Sequence, residues 1–295
     1  MAGNALKPLV GVALALSWPF PALAQPAGPQ PTVAAENPTE RAFRQLSDHW
    51  LAETLRLNPV AATQAGEHRY DALLPDIGPT GRAPQLRLAQ DTLAALMLIN
   101  RDRLSRASQV DSAMLETQLR YDLFQLQKLE EHAWNPLAYT GGAGSALYGL
   151  MAREFAPLPV RLRAATRRME RLPEWLATAR RQLDPARVPL VHAETAVRQN
   201  AGLASIIDGM ILPEAGKLPA AEQARLKRAA ERLKAASAEH GEWLKSTLVP
   251  AAKGDWRIGA RLYDEKLALA LNSPLSRAEL RTRAEAMIAR TREEM

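Results

Sequence analysis

Apolar residues along this chain return at steps of three and four, the mark of amphipathic helices. Phe43, Leu46, Trp50 and Leu57 form the first stripe. It is opened by Asn37-Pro38, an N-cap followed by proline at the first helical position, and closed by Asn58-Pro59. From Val60 to Pro84 the spacing of Gly66, Pro75, Gly78, Pro79 and Gly81 predicts turn and loop, with one short helix over Val60–Ala65. A second long helix is expected from Pro84 to about Arg106. Asp111 is the expected cap of a third, whose stripe runs through Leu115, Leu119, Leu126 and Leu129. Asp122 interrupts that stripe, and Leu123 takes the adjoining inward position. Trp134 to Leu150 reads as a glycine-rich loop. Pro157 and Pro159 open a helix to Arg171, and Pro173 opens another to Leu183. Further helices are expected over Pro189–Asp208, from Pro219 to about Val249, over Arg261–Leu271 and over Ser276–Met295. In the last of these, Ser276 and Glu279 make a capping-box pattern.

Few stretches alternate with period two, and β-branched residues are sparse beside Ala and Leu. The expected fold is therefore all-α, an irregular multi-helix bundle or array with no regular repeat. The final helical pattern runs into Met295 without a Gly, Asn or Pro stop, which suggests an incomplete domain.

Met1 to Ala24 has the order of a secretory signal: Lys7, a short apolar run over Leu9–Trp18, and Ala22-Leu23-Ala24 as cleavage site. Residues 25–36 are rich in Pro, Ala and Gly and read as a flexible leader, with the helical region following over 37–295. The chain has no cysteine, so no lipid anchor is expected after signal cleavage, and no thiolate metal site. A periplasmic or secreted protein follows. The net charge of +6 is carried mainly by Arg set among Ala and Leu at helical spacing, as on solvated faces. With an export signal, that pattern argues against a nucleic-acid partner.

The histidines His49, His68, His132, His192 and His240 never fall within one helical turn of each other. A zincin helix needs two at i and i+4 with Glu as base, so that motif is absent from this sequence. His192 and Glu194 are the best local polar pair, but two residues apart on a helix they point to different faces. Gly141, Gly142 and Gly144 lack the Lys-Ser/Thr of a phosphate loop, and Ser145 lacks the nucleophile-elbow pattern. Close backbone packing at a bend is the expected role of these glycines. The tryptophans are read as packing residues.

Several segments together resemble one bacterial family of exported, helical proteins, DUF885. They are Asn58-Pro59-x-x-Ala62-Thr63, Gly66-Glu67-His68-Arg69-Tyr70-Asp71, Asn135-Pro136-Leu137-x-Tyr139, Arg153-x-Phe155-Ala156-Pro157, Arg168-Met169-Glu170-Arg171-Leu172-Pro173, Val188-Pro189-x-x-His192-x-Glu194 with Gln199, and Arg257-Ile258-Gly259-x-x-Leu262-Tyr263-Asp264. The resemblance implies a chain about twice as long, whose later half carries a zinc-metallopeptidase-like helix. It implies that the helical first half forms one wall of a cleft for a peptide-like substrate. No catalytic or metal residue carries over to this sequence, and zinc is expected only in a half beyond Met295. Tyr139 and His192, in matching segments, are the expected cleft residues. A stand-alone periplasmic binding module is the alternative reading.

Overall fold

A computed structural model describes residues Asn37–Met295 as one compact unit. The signal and leader assignments lie outside the described residues. Helices dominate: α1 (Pro38–Leu57), α2 (Pro59–Ala65), α3 (Pro79–Met97), α4 (Arg106–Phe124), α5 (Glu131–Trp134), α6 (Pro136–Met151), α7 (Leu158–Gln182), α8 (Leu190–Asn200), α9 (Gly202–Ile206), α10 (Ala220–Trp243), α11 (Val249–Ala251), α12 (Ala260–Leu271) and α13 (Arg277–Glu294). Among the described residues the β-type pairing is one isolated bridge, Pro189 with Gly254. The all-α expectation holds. None of the described helices is long and apolar enough to cross a membrane.

Caps set most boundaries. Asn37 and Asn135 each accept a backbone N–H of the helix they open, from Glu40 and Leu137 respectively. Ser276 and Glu279 form the full capping box at the start of α13. Several expected boundaries move, among them the end of the second long helix, which stops at Met97 and not near Arg106. The third helix is capped by Ser105, whose hydroxyl accepts from Ser108 N, and Asp111 lies inside it. The second long helix starts at Pro79, because Asp76 turns the chain first: its carboxylate accepts from Gly78 N and the Thr80 hydroxyl. Pro84 then falls in the second turn and deprives one carbonyl of its partner. The expected break at Pro173 is also absent. A helix-interior proline costs about 3 kcal/mol relative to alanine. Met169, Leu172 and Leu176, all essentially unexposed, flank Pro173, and their burial offsets that cost.

The stretch expected to be a loop, Trp134–Leu150, is mostly the helix α6. Its glycines make room rather than a bend. A Cβ on Gly142 would stand 3.2 Å from the ring of Trp175 on α7, whereas Gly141 faces open space. Close packing was the correct part of the expectation; the bend was not.

The core lies in three clusters. Phe43, Ala89, Leu96, Leu104, Leu115 and Leu119 join α1, α3 and α4. Leu147, Leu162, Met169, Ile207, Leu226 and Leu233 are part of the largest cluster, which joins α6, α7 and α10 with the π-turn Ile207–Ile211. Tyr139, Ala179, Val188, Ala193 and Leu244 join α6, α7 and α8 to a second π-turn, Leu244–Leu248. Not all arginines are solvated as expected. Arg161 caps the end of α6 by donating to the Leu150 and Met151 carbonyls. Arg168 is fully buried and donates to the carbonyls of Leu73, Ala146 and Pro59 and to the Thr63 hydroxyl.

Candidate functional site

Where the α1/α3/α4 cluster meets α6 and α7, the interface stays open as a groove. It has two adjoining cavities, of about 370 Å³ and about 330 Å³, which share Asn58, Gln85, Gln125 and Leu126. Their size suits a small ligand or a few residues of an extended one.

The second cavity brings together Arg82 of α3, Glu131 and His132 of α5, Tyr139 of α6 and Trp175 of α7. Helix geometry explains each placement. The Asn135 cap fixes the start of α6, so Tyr139 faces α7 one turn later. Its hydroxyl donates to the His132 carbonyl at 2.7 Å, and its ring meets Trp175 edge-on with centroids 5.9 Å apart. Burial pushes the Tyr139 phenol up to about 12, so it stays protonated at any working pH. The Trp175 indole N–H donates to the Pro75 carbonyl, tying α7 to the loop before α3. Arg82 donates to the Ile77 carbonyl and to Gln182 Oε1. Burial, then the Arg82 charge, holds the His132 imidazole below its ordinary value, so it is neutral near pH 7. The cavity therefore offers a fixed cation, a neutral imidazole, a carboxylate and two aromatic walls.

The first cavity lies between α1, α3 and α4 and is lined by Trp50, Leu57, Leu88, Gln118, Asp122 and Gln125, among others. Burial raises the Asp122 carboxyl above the usual range, and a hydrogen bond from Gln118 only partly opposes this. Gln125 opens a π-turn, Gln125–Leu129, that breaks the regular course of α4. Such single π-turns interrupt helices often at functional sites.

Of the two residues expected at a cleft, Tyr139 lines this groove and His192 does not. His192 stacks on Trp134, with centroids 5.7 Å apart, and its buried Nδ1 has no hydrogen-bond partner among the described residues. Trp134 in turn donates to the Leu129 carbonyl at the end of the π-turn. His192 is thus linked to the π-turn Gln125–Leu129 through Trp134. Glu194 is exposed, on a different face from His192. Arg82, Glu131, His132, Asp122, Gln125 and Trp175 were not expected there. The available signal was Asp122, a carboxylate interrupting an apolar stripe.

A zinc ion is what the family resemblance would bring. Among the described residues no three His, Cys, Asp or Glu side chains converge to hold a metal. His68 sits on Asp71 and Phe155, His132 at the groove, His192 on Trp134 and His240 on Trp243. The described residues therefore offer no ligand set for that ion.

A solved structure that the chain resembles is that of a candidate lipoprotein of unknown function from Shewanella oneidensis, with 27% sequence identity and a TM-score of 0.76. The likeness covers 85% of this chain and 46% of that one, so this chain spans about half the length of that protein. Among curated proteins none matches. Residues 59–295 match the family described as bacterial protein of unknown function, DUF885, and the chain belongs to that family.

Proposed function

We propose that the groove is one wall of a substrate cleft in an exported, hydrolase-type protein, and that it holds a peptide-like ligand in extended form. The observation that carries this reading is the groove itself. It runs past acceptors at Asp122, Gln125 and Glu131, the cation of Arg82, and the faces of Trp50, Tyr139 and Trp175. A peptide offers alternating donors, acceptors and side chains, which such a mixed lining suits. Tyr139 belongs to the wall in this reading, and His192 acts through Trp134.

Export is supported by the signal pattern of residues 1–24 and by the likeness to a candidate lipoprotein. That protein is about twice as long, which supports assigning bond cleavage to residues outside this chain. In this reading the groove binds the ligand and does not itself cleave it.

The test is binding and turnover on the purified 295-residue chain. Blocked tetra-alanine (N-acetyl, C-amide) is expected to bind saturably, read by tryptophan fluorescence, and to stay intact with or without added Zn²⁺. Tyr139→Ala and Trp175→Ala are expected to weaken binding about tenfold each, as loss of a buried aromatic contact does. Metal-dependent cleavage by this chain would overturn the division of labour. Absence of binding would overturn the cleft wall.

A further inference from the structure

The cavity between α1, α3 and α4 is lined by two residues, Asp122 and Gln125, with unused hydrogen-bond acceptor capacity. An ionised carboxylate has about four lone-pair sites, and Asp122 fills one, with Gln118 Nε2 at 2.8 Å. Gln125 Oε1 is buried and accepts from nothing among the described residues. Asp122 and Gln125 are three residues apart where α4 passes into its π-turn, and both line this cavity. Leaving such an acceptor unpaired is unfavourable in a fold, and a ligand donor removes the deficit. The nearby surface is apolar or aromatic, from Trp50, Leu57, Leu88 and Leu126. Among the described residues lining the cavity there is no Lys or Arg, in a chain whose net charge is +6.

We propose that Asp122 and Gln125 receive a primary ammonium group on an aliphatic substituent, the free amino terminus of a peptide-like ligand, with the Trp50 ring as one wall. The peptide assignment rests on the reading of the groove as a peptide-binding wall. The chemistry selects among cations. A hard metal ion takes six or more oxygen ligands, more than this pair and its apolar surroundings supply. A guanidinium binds best across both carboxylate oxygens, and one here is engaged by Gln118. An ammonium accepts monodentate acceptors without a planar fork and is attracted to an aromatic face. Burial disfavours the ionised Asp122, and an adjacent ammonium reverses that bias.

The experiment titrates the 295-residue chain with n-butylammonium and n-butanol, and separately with Ala-Ala-Ala and N-acetyl-Ala-Ala-Ala. Binding is read by calorimetry and tryptophan fluorescence. The amine and the free peptide are expected to bind about tenfold tighter than the alcohol and the blocked peptide, the gain of one charge-assisted contact. Asp122→Asn is expected to abolish that preference, so that amine and alcohol, and free and blocked peptide, bind alike. Gln125→Leu removes the buried acceptor without changing charge, and is expected to weaken amine binding about threefold. It also serves if the Asp122 variant does not fold, as read by circular dichroism. Equal binding of amine and alcohol, or a preference that both variants leave intact, would overturn the site. If both peptides fail while the amine still binds through Asp122, the ammonium site stands and the peptide wall falls.

Discussion

Arg168 shows how a single buried side chain can unite distant segments. Its guanidinium reaches α2, the loop after it and α6 from α7, with partners at 2.7 to 3.1 Å. Thr63, one of those partners, donates to Asp71, and Asp71 meets His68, which stacks on Phe155 at 3.7 Å. Burial lowers the Arg168 pKa to about 10, which leaves it charged at neutral pH. Arg168→Met leaves the Leu73, Ala146 and Pro59 carbonyls without this donor. At about 1–3 kcal/mol for each group left unsatisfied and partial relaxation, the expected loss is about 3–5 kcal/mol, measured by urea unfolding. Arg168→Lys recovers only part, since one ammonium cannot span the same fork. His240 gives the pH-dependent counterpart. Burial first, then the Arg180 charge, pushes it down to about 4, from an ordinary value near 6.5. The unfolded chain therefore binds a proton that the folded one refuses, so stability is full above about pH 6.5 and falls as pH drops toward about 4. The loss is roughly 3 kcal/mol at most, and His240→Met is expected to flatten that part of the stability–pH curve. Six of the residues that carry the family resemblance, Pro59, Thr63, His68, Asp71, Phe155 and Arg168, meet in this one network. They were legible as motifs, but their role was not, because it depends on contacts about 100 residues apart in sequence.

At the scale of elements, periodicity located most helices, and capping residues set several of their starts. It failed where glycine or proline stood inside a helix. Local propensity reads the Gly141–Gly144 stretch as a loop, yet α7 and Ile206 lie close against α6, and small residues permit that approach. The two adjacent glycines should then respond oppositely. Gly141 is helical, exposed and faces open space, so Gly141→Ala is expected to stabilise by about 0.5–1 kcal/mol through propensity alone. Gly142→Leu drives a side chain into Trp175, and is expected to destabilise by about 1–3 kcal/mol and to weaken ligand binding in the groove. Urea midpoints of the two variants check the pair; equal shifts would remove the packing explanation. The groove was hidden for a related reason. Its lining comes from α1, α3, α4, α5, α6 and α7, and no sequence window contains more than a fragment of it. Tyr139 was found through its motif, and Asp122 left a trace as a break in the apolar stripe. Arg82 and Trp175 left none, since a lone cation or indole at helical spacing is ordinary.

Across the whole molecule, stability is concentrated in the three core clusters, and the last two helices contribute little to them. Neither α12 nor α13 contains a buried residue. α12 leans on α4, with an ion pair between Lys128 and Glu265. α13 is linked back to α12 by Arg277 and Asp264, an exposed pair of the kind that salt screens. From Arg281 onward every residue of α13 is exposed, including Met287 at 58% and Ile288 at 51%. Leu280, Ala284, Met287 and Ile288 nevertheless keep the 3–4 spacing of a face. A helix in this position holds its shape through its capping box and its i,i+4 pairs Arg281–Glu285 and Arg290–Glu294, not through tertiary packing. Removing residues 277–295 should therefore cost the rest of the fold almost nothing. The expected change in Tm is below about 3 °C, the equivalent of about 1 kcal/mol in a chain of this size. Far-UV circular dichroism should lose only the α13 signal, and hydrophobic-dye fluorescence should fall with the loss of Met287 and Ile288. A drop in Tm well beyond that range would mean that α13 supports the core through contacts its full exposure does not suggest.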